Sequence, residues 1–266
     1  MKFIHLTDLH LVPPPQKLWG FDPFARLDQC FADIAKYHGN AEFCAISGDL
    51  TERGDVEAYI ALKERLKQFP LPVHLMMGNH DDRANFLKVF GGPVENGYVQ
   101  HRVVHGGQHF LFLDTLKGPP SSAGLYDEPR REWLKNALAD AGDAPVHIFM
   151  HHPQFHIHHP LMDLIPLEDG EGFGGLLAGY NVRHLFFGHA HRAISGQWRG
   201  ISYSALPGLC HQLPLVGGSV PTIYSDEPPM YGVVHLKGDQ ITVHSDAFVH
   251  RTPAQMGADE ERGGWS

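Results

Sequence analysis

Short apolar runs alternate with amphipathic stretches through the first half of the chain. Residues 2–7, 42–47 and 72–77 are compact and rich in apolar side chains, and each reads as a strand. Between them, Phe24, Leu27, Phe31 and Ile34 recur at helical spacing, which predicts a helix over 24–38. Val56, Tyr59, Leu62 and Leu66 form one stripe of a second helix over 55–68, and a short third is expected over 82–90. Residues 98–104 and 109–115 alternate and flank His105-Gly106-Gly107-Gln108, the pattern of a hairpin. A helix over 128–140 tolerates Pro129 in its first turn, and residues 145–150 and 183–187 read as further strands. Residues 169–180 suggest a helix weakened by glycine. Residues 192–205 and 231–248 read as strands separated by a loop rich in Pro and Gly. The alternation of strand and helix argues for an α/β layered fold, and no internal repeat is visible.

At 266 residues the chain is expected to form one elaborated domain, spanning about 1–250. The irregular, Pro- and His-rich stretch from 152 is expected to be a cap or a contact between copies of the chain, inserted over about 152–180. The polar segment 251–266 is expected to be a frayed tail. A formal charge of -9 argues against a broad grip on nucleic acid, although it does not exclude a small phosphate substrate. Cys30, Cys44 and Cys210 have neither the number nor the spacing of a disulfide framework or a thiolate zinc site. Residues 1–7 lead straight into the first motif described below, and no run approaches the ~20 apolar residues of a membrane helix. A cytoplasmic protein without membrane contact is therefore expected. The composition holds 21 His, more than the motifs absorb.

Five of the apolar runs end in residues that bind hard or borderline metals. They are Asp8-Leu9-His10, Gly48-Asp49, Gly78-Asn79-His80-Asp81, His151-His152 and Gly188-His189-Ala190-His191. In an α/β sheet, residues just past the strand ends gather along one edge, where ligands bind. Carboxylates, an amide oxygen and imidazoles on a single rim suit two adjacent divalent ions and in-line displacement at phosphorus. Asp8 and His10 lie two apart and share a face in extended chain, so they can chelate one ion. Each piece alone has a plainer reading: Asp8 or Asp49 as a turn residue, His10 as a satisfied polar side chain. Five in order, each after a strand, outweigh those readings.

D-x-H, GD, GNHD, an isolated His and G-H-x-H, in that order, resemble the calcineurin-like metallophosphoesterase superfamily over about three-quarters of the chain. Leu206-Pro207-Gly208-Leu209-Cys210-His211-Gln212 is similar to a segment of its class III cyclic nucleotide phosphodiesterase and bacterial glycerophosphodiesterase branch. The resemblance implies a four-layer αββα sandwich of two mixed β-sheets flanked by helices. It implies two divalent ions (Fe, Mn, Zn or Co). One would be held by Asp8, His10, Asp49 and His191, the other by Asp49, Asn79, His151 and His189, with Asp49 as the bridge. A hydroxide between them would be the nucleophile. His80 and His211 would bind a non-bridging oxygen or assist the leaving group. His152 is expected to be structural, and Asp81 to orient His80 or cap the following helix.

The implied activity is hydrolysis of small phosphodiesters, such as 3′,5′- or 2′,3′-cyclic nucleotides or glycerophosphodiesters. A phosphomonoesterase or phosphonate monoester hydrolase of the same superfamily is the alternative, and a non-catalytic metal-binding scaffold is the alternative of another class. Phosphoprotein phosphatases typically carry GNHE followed by an arginine that grips the phosphate, whereas here GNHD precedes Asp82-Arg83. No G-x-x-x-x-G-K-[ST] or G-x-S-x-G segment is present, which removes a P-loop NTPase and an α/β-hydrolase. His156, His158 and His159 are expected in a lid or a homo-oligomer contact, with a third metal site as the alternative. Trp19 and Phe21 are open to stacking on a base, and Phe24 is expected in the core.

Overall fold

A computed structural model describes residues 1–215 and 224–249. The expected tail, 251–266, lies outside the described residues. Eleven strands form two sheets. The first contains β1 (Lys2–Leu6), β2 (Cys44–Ile46), β3 (Val73–Leu75), β10 (Met230–Lys237) and β11 (Gln240–Ala247), in the order β11-β10-β1-β2-β3. Here β1, β2 and β3 run parallel, and β10 and β11 join antiparallel. The second sheet contains β4 (His101–His105), β5 (Gln108–Phe112), β6 (Val146–Met150), β7 (Val182–Phe187), β8 (Ile194–Trp198) and β9 (Ile201–Ala205), in the order β4-β5-β6-β7-β9-β8. Its centre, β5-β6-β7-β9, is parallel, and β4 and β8 are antiparallel edges.

The inner faces meet through Phe3, Phe43, Phe110, Phe112, Phe149 and Phe186, all buried. Phe149 stacks between Phe112 at 4.9 Å and Phe186 at 4.6 Å. Helices α1 (Pro23–His38), α2 (Val56–Leu66) and α3 (Arg83–Phe90) cover the outer face of the first sheet, with Leu27, Phe31, Tyr59, Leu62 and Phe86 buried in one cluster with Ile4 and Ile46. Helices α4 (Glu128–Ala141) and α5 (Gly170–Leu177) cover the second through Leu134, Leu138, Phe173 and Leu177. This is the four-layer αββα sandwich.

The strand runs expected over 192–205 and 231–248 each fold into a hairpin. Arg199 and Gly200 (φ 51° and 81°) turn the first, and Gly238 (φ 60°) lies in the turn of the second. The helix expected over 82–90 starts at Arg83, capped by Asp82, whose carboxylate accepts from the Asn85 N–H at 2.8 Å. Parallel β1, β2, β3, β6 and β7 all end at the edge that carries the five metal-binding segments. No helix among the described residues is long and apolar enough to cross a membrane.

Candidate metal centre

The backbone bends sharply where the strands end. Asp8, His10, Asp49, His189 and His191 all have positive φ, between 46° and 67°. Asp, Asn and His are the side chains that tolerate this region best after glycine. The bends turn five donor side chains inward from strands that would otherwise carry them past one another. Gly48 makes the closest approach. It has φ 95°, and a Cβ there would lie 2.7 Å from His151 Nδ1 and 2.8 Å from the Gly78 nitrogen. Only glycine lets these loops touch.

All nine residues singled out from the sequence converge. Donor atoms of Asp8, His10, Asp49 and His191 lie within 4.8 Å of one another, and all four side chains are buried. Beside them, Asn79 Oδ1 lies 3.2 Å from His151 Nε2 and 2.9 Å from His189 Nδ1. Asp49 stands between the two groups. Its Oδ2 is 3.2 Å from His151 Nε2 and 3.6 Å from His10 Nε2.

Each imidazole has one nitrogen occupied from behind. The Nδ1–H of His10 donates to Glu52 Oε2 at 2.7 Å, that of His151 to the Ser47 carbonyl at 2.8 Å, and that of His191 to the His211 carbonyl at 2.8 Å. His189 is reversed: its Nε2–H donates to the Ile165 carbonyl at 3.1 Å. These partners fix the tautomers, so the inward nitrogens are lone-pair acceptors. Acceptors then face acceptors. His10 Nε2 lies 3.1 Å from His191 Nε2, and His189 Nδ1 lies 2.9 Å from Asn79 Oδ1. Such contacts repel unless a cation or a proton lies between them. The donor set therefore fits divalent metal.

Protonation answers the same demand. Burial alone would raise Asp8 and Asp49, yet the imidazoles of His191 and His151 hold both below the ordinary carboxylate range. Burial would lower His151, but Asp49 and Asp8 lift it to about 9. His189, buried and beside His151, is lowered to about 3.

His80 and His211 line the cavity above this cluster. The His80 backbone N–H donates to Asp49 Oδ1 at 2.8 Å, and its Nδ1–H donates to the Glu52 carbonyl at 2.9 Å. That bond turns Nε2 toward the cavity, whose volume is about 280 Å³. Burial lowers the His80 pKa, but Asp49 and Glu52 outweigh it and raise it. His211 packs on the rings of His191 (4.4 Å) and His10 (4.8 Å), and its buried Nδ1 has no partner. Burial and those two imidazoles push its pKa far down, so it is neutral. The segment around it docks on the first corner: the Leu209 N–H donates to the Asp8 carbonyl at 3.0 Å.

His152 brings a donor atom within 4.8 Å of those of His151 and His189, but both of its nitrogens are engaged elsewhere. Its Nδ1 accepts from the Thr115 hydroxyl at 2.8 Å, and its Nε2–H donates to the Ser122 carbonyl at 3.2 Å. Asp81 neither caps α3 nor orients His80 through a hydrogen bond. It ties the second and third corners together, accepting from the Leu50, Thr51 and Gly78 N–H groups at 2.9–3.1 Å and from the Tyr59 hydroxyl at 2.8 Å. Arg83 points away from the site, paired with buried Asp114. His156, His158 and His159 belong to no cluster of converging donors among the described residues. Phe24 is in the core, Phe21 packs under Arg26, and Trp19 reaches the cavity wall. Within the expected insertion, Leu161, Met162 and Ile165 also line the cavity.

Sequence reasoning missed Tyr224 on the cavity wall and Glu52 behind His10. Glu52 follows Asp49 by three positions, an acidic residue that no motif singles out, and only the fold shows its place.

Residues 1–193 match the family model described as calcineurin-like phosphoesterase. A probable cyclic nucleotide phosphodiesterase of Rhodopseudomonas palustris is 37% identical over 261 residues, covering 95% of this chain and 94% of the relative. The glycerophosphodiester phosphodiesterase GpdQ of Enterobacter lignolyticus is 27% identical over 259 residues, covering 94% and 92%. Among solved structures, a dimetal phosphatase from Danio rerio superposes with a TM-score of 0.71 at 15% identity, covering 93% of this chain and 96% of that one. At that identity the likeness speaks for the fold alone.

Proposed function

The chain belongs to the calcineurin-like phosphoesterase family, and from that premise we propose that it is a metal-dependent hydrolase of small phosphodiesters. One observation carries the reading: a single carboxylate oxygen of Asp49 lies between two groups of inward-facing donors. Asp8, His10, Asp49 and His191 would hold one divalent ion, and Asp49, Asn79, His151 and His189 the other. When bound, the ions would supply Lewis acidity, activating water and neutralising charge at the phosphoryl oxygens. His, Asp and Asn donors suit Fe, Mn, Zn or Co.

The protein's own groups do the rest. Glu52 and the backbone carbonyls keep the imidazoles in the ligating tautomer. His80, anchored at Nδ1, presents Nε2 to the substrate and delivers a proton to the leaving oxygen. His211 contacts a non-bridging oxygen. Leu161, Met162, Ile165 and Leu213 give the cavity apolar walls that limit water.

The charge of the site favours a diester. No Arg or Lys lines the cavity among the described residues, and Arg83 is committed to Asp114. A monoester dianion brings a second negative charge, for which the site has no fixed cation beyond the metals. A diester brings one. The relatives named as cyclic nucleotide and glycerophosphodiester phosphodiesterases point the same way. A cytoplasmic location accords with three buried, unpaired cysteines.

The test is a panel on protein reconstituted with each metal: bis(p-nitrophenyl) phosphate, p-nitrophenyl phosphate, 3′,5′-cAMP, 2′,3′-cAMP and glycerophosphoethanolamine. Diesters should turn over well ahead of the monoester. Faster monoester turnover would make the protein a phosphomonoesterase. Two bound metals with no turnover of any member would make it a scaffold.

A further inference from the structure

Hydrolysis at the metal corner makes no use of the two aromatic side chains on the cavity wall. Trp19 and Tyr224 both line the cavity and remain 48% and 42% exposed. They stack on each other with centroids 4.0 Å apart and planes 17° apart. Both also stand edge-on to His211, at 4.5 Å and 4.9 Å, which ties them to the residue assigned to the phosphate. The chain holds Trp19 there at a conformational cost. Its φ is 46°, inside a tight turn where Leu18 and Phe21 exchange hydrogen bonds at 2.9 Å and 2.8 Å. A bulky residue in the left-handed region is an outlier, and such outliers collect where function over-determines the backbone.

We propose that the Trp19–Tyr224 pair is a subsite for a flat heterocycle, so that diesters bearing a nucleobase are taken in preference to diesters with aliphatic substituents. The inference rests on the phosphodiesterase reading and names the substrate class within it. Stacking covers one face of each ring and leaves the exposed half of each side chain for a third ring. Aromatic faces near parallel at 17° make a platform, not the box of rings that encloses a quaternary ammonium. Among the described residues the cavity lining carries Asp49 as its one carboxylate, and that group is committed to the metal donors, which leaves none of them to pair with an ethanolamine head group. Apart from Ser122, the remaining wall among the described residues is Leu161, Met162, Ile165 and Leu213, all apolar. Recognition chiefly by stacking predicts tolerance of the base: adenine and guanine should bind with similar affinity.

The experiment compares kcat/KM for 3′,5′-cAMP, glycerophosphoethanolamine and glycerophosphocholine. It uses the full-length, metal-loaded protein and its Trp19→Leu, Trp19→Phe and Tyr224→Leu variants. Base stacking is worth ~1–3 kcal/mol, which at ~1.4 kcal/mol per decade makes the cAMP-to-glycerophosphoethanolamine ratio fall about 5- to 140-fold in Trp19→Leu. Trp19→Phe keeps a flat ring and should retain most of the ratio. An unchanged ratio overturns the subsite, and so does a selective loss on glycerophosphocholine, which would mean an ammonium site. A second readout does not need catalysis. AMP should quench tryptophan fluorescence in the parent protein, and the quench should vanish in Trp19→Leu. Quenching without diester cleavage would sink the phosphodiesterase reading and leave the base subsite standing. Diester cleavage with the ratio and quench unmoved by Trp19→Leu would sink the subsite alone.

Discussion

Removing Asp114 should destabilise the protein by about 4 kcal/mol, while removing its partner Arg83 should cost about 1–2 kcal/mol and leave catalysis in place. Asp114 is fully buried. It accepts from Arg83 Nε at 2.7 Å and Nη2 at 2.9 Å, and from the N–H groups of Val99 at 2.9 Å and Leu116 at 3.0 Å. Asp114→Ala strands a guanidinium and two buried amide donors together. Breaking a buried pair costs roughly 3–5 kcal/mol, most of it the penalty on the group left behind. Arg83→Met strands less. The carboxylate keeps both amide donors and Arg130 at 3.9 Å, and Arg83 was already 24% exposed. Urea unfolding of metal-free protein reads the difference without a contribution from bound ions. With a slope of about 3 kcal/mol per molar, 4 kcal/mol moves the midpoint by about 1.3 M, and the Arg83 variant by about 0.5 M. The kcat/KM of Arg83→Met for bis(p-nitrophenyl) phosphate should stay within about threefold of the parent. A hundredfold loss, ~2.7 kcal/mol of transition-state stabilisation, would mean that Arg83 does grip the phosphate. Equal midpoint shifts in the two variants would refute the asymmetry of burial on which the numbers stand.

Asp49→Ala should lose both ions and all turnover, because one carboxylate serves both donor groups; two ions per chain by elemental analysis, with good turnover, would rule out the shared role. His80→Ala should keep two ions and lose about 10²–10⁴-fold in turnover of an alkoxide or ribose leaving group, the scale of a positioned acid–base residue. The loss should be smaller with p-nitrophenolate, and ion loss from this variant would make His80 a ligand. Gly48→Ala should cost about 2–4 kcal/mol from overpacking and backbone strain together and should weaken ion retention, since the new Cβ presses on His151; a variant with unchanged ion content and melting temperature would show that the corner yields easily.

The rim was legible because each donor sits directly after an apolar run, and strand ends of a parallel sheet share an edge. The pairing of two sheets was not, since the same runs fit a single sheet; the resemblance supplied it. Two hairpins were hidden because Gly200 and Gly238 stand in turns too tight to break the apolar pattern around them. Partners across the fold were also hidden. Nothing in the local sequence ties Glu52 to His10, or Asp81 to Leu50 and Gly78, because those contacts are made by tertiary packing. Part of the surplus of histidine finds its place in and around the layer between the sheets. His101 stacks on Phe112 at 4.5 Å, and His147 on Phe110 at 5.1 Å. His5 and His184 bond to serine hydroxyls, each at 2.8 Å. Burial lowers the four to between about 3 and about 4, so they serve as neutral aromatic rings with a polar edge.

The left-handed corners have a consequence for how this rim can vary. The residues that tolerate such a bend and the residues that donate nitrogen or oxygen to a metal are nearly the same short list. Turn geometry and donor chemistry therefore press on Asp8, His10, Asp49, His189 and His191 in the same direction, and neither requirement can drift alone. Alanine at one of these positions removes a donor and adds strain; glycine removes the donor and relieves strain. Measuring both at Asp8 separates the side chain's chemistry from its bend. A glycine variant that is inert yet melts higher than its alanine counterpart would show reactivity held in the curvature of the chain, a property that a comparison of side chains alone would never register.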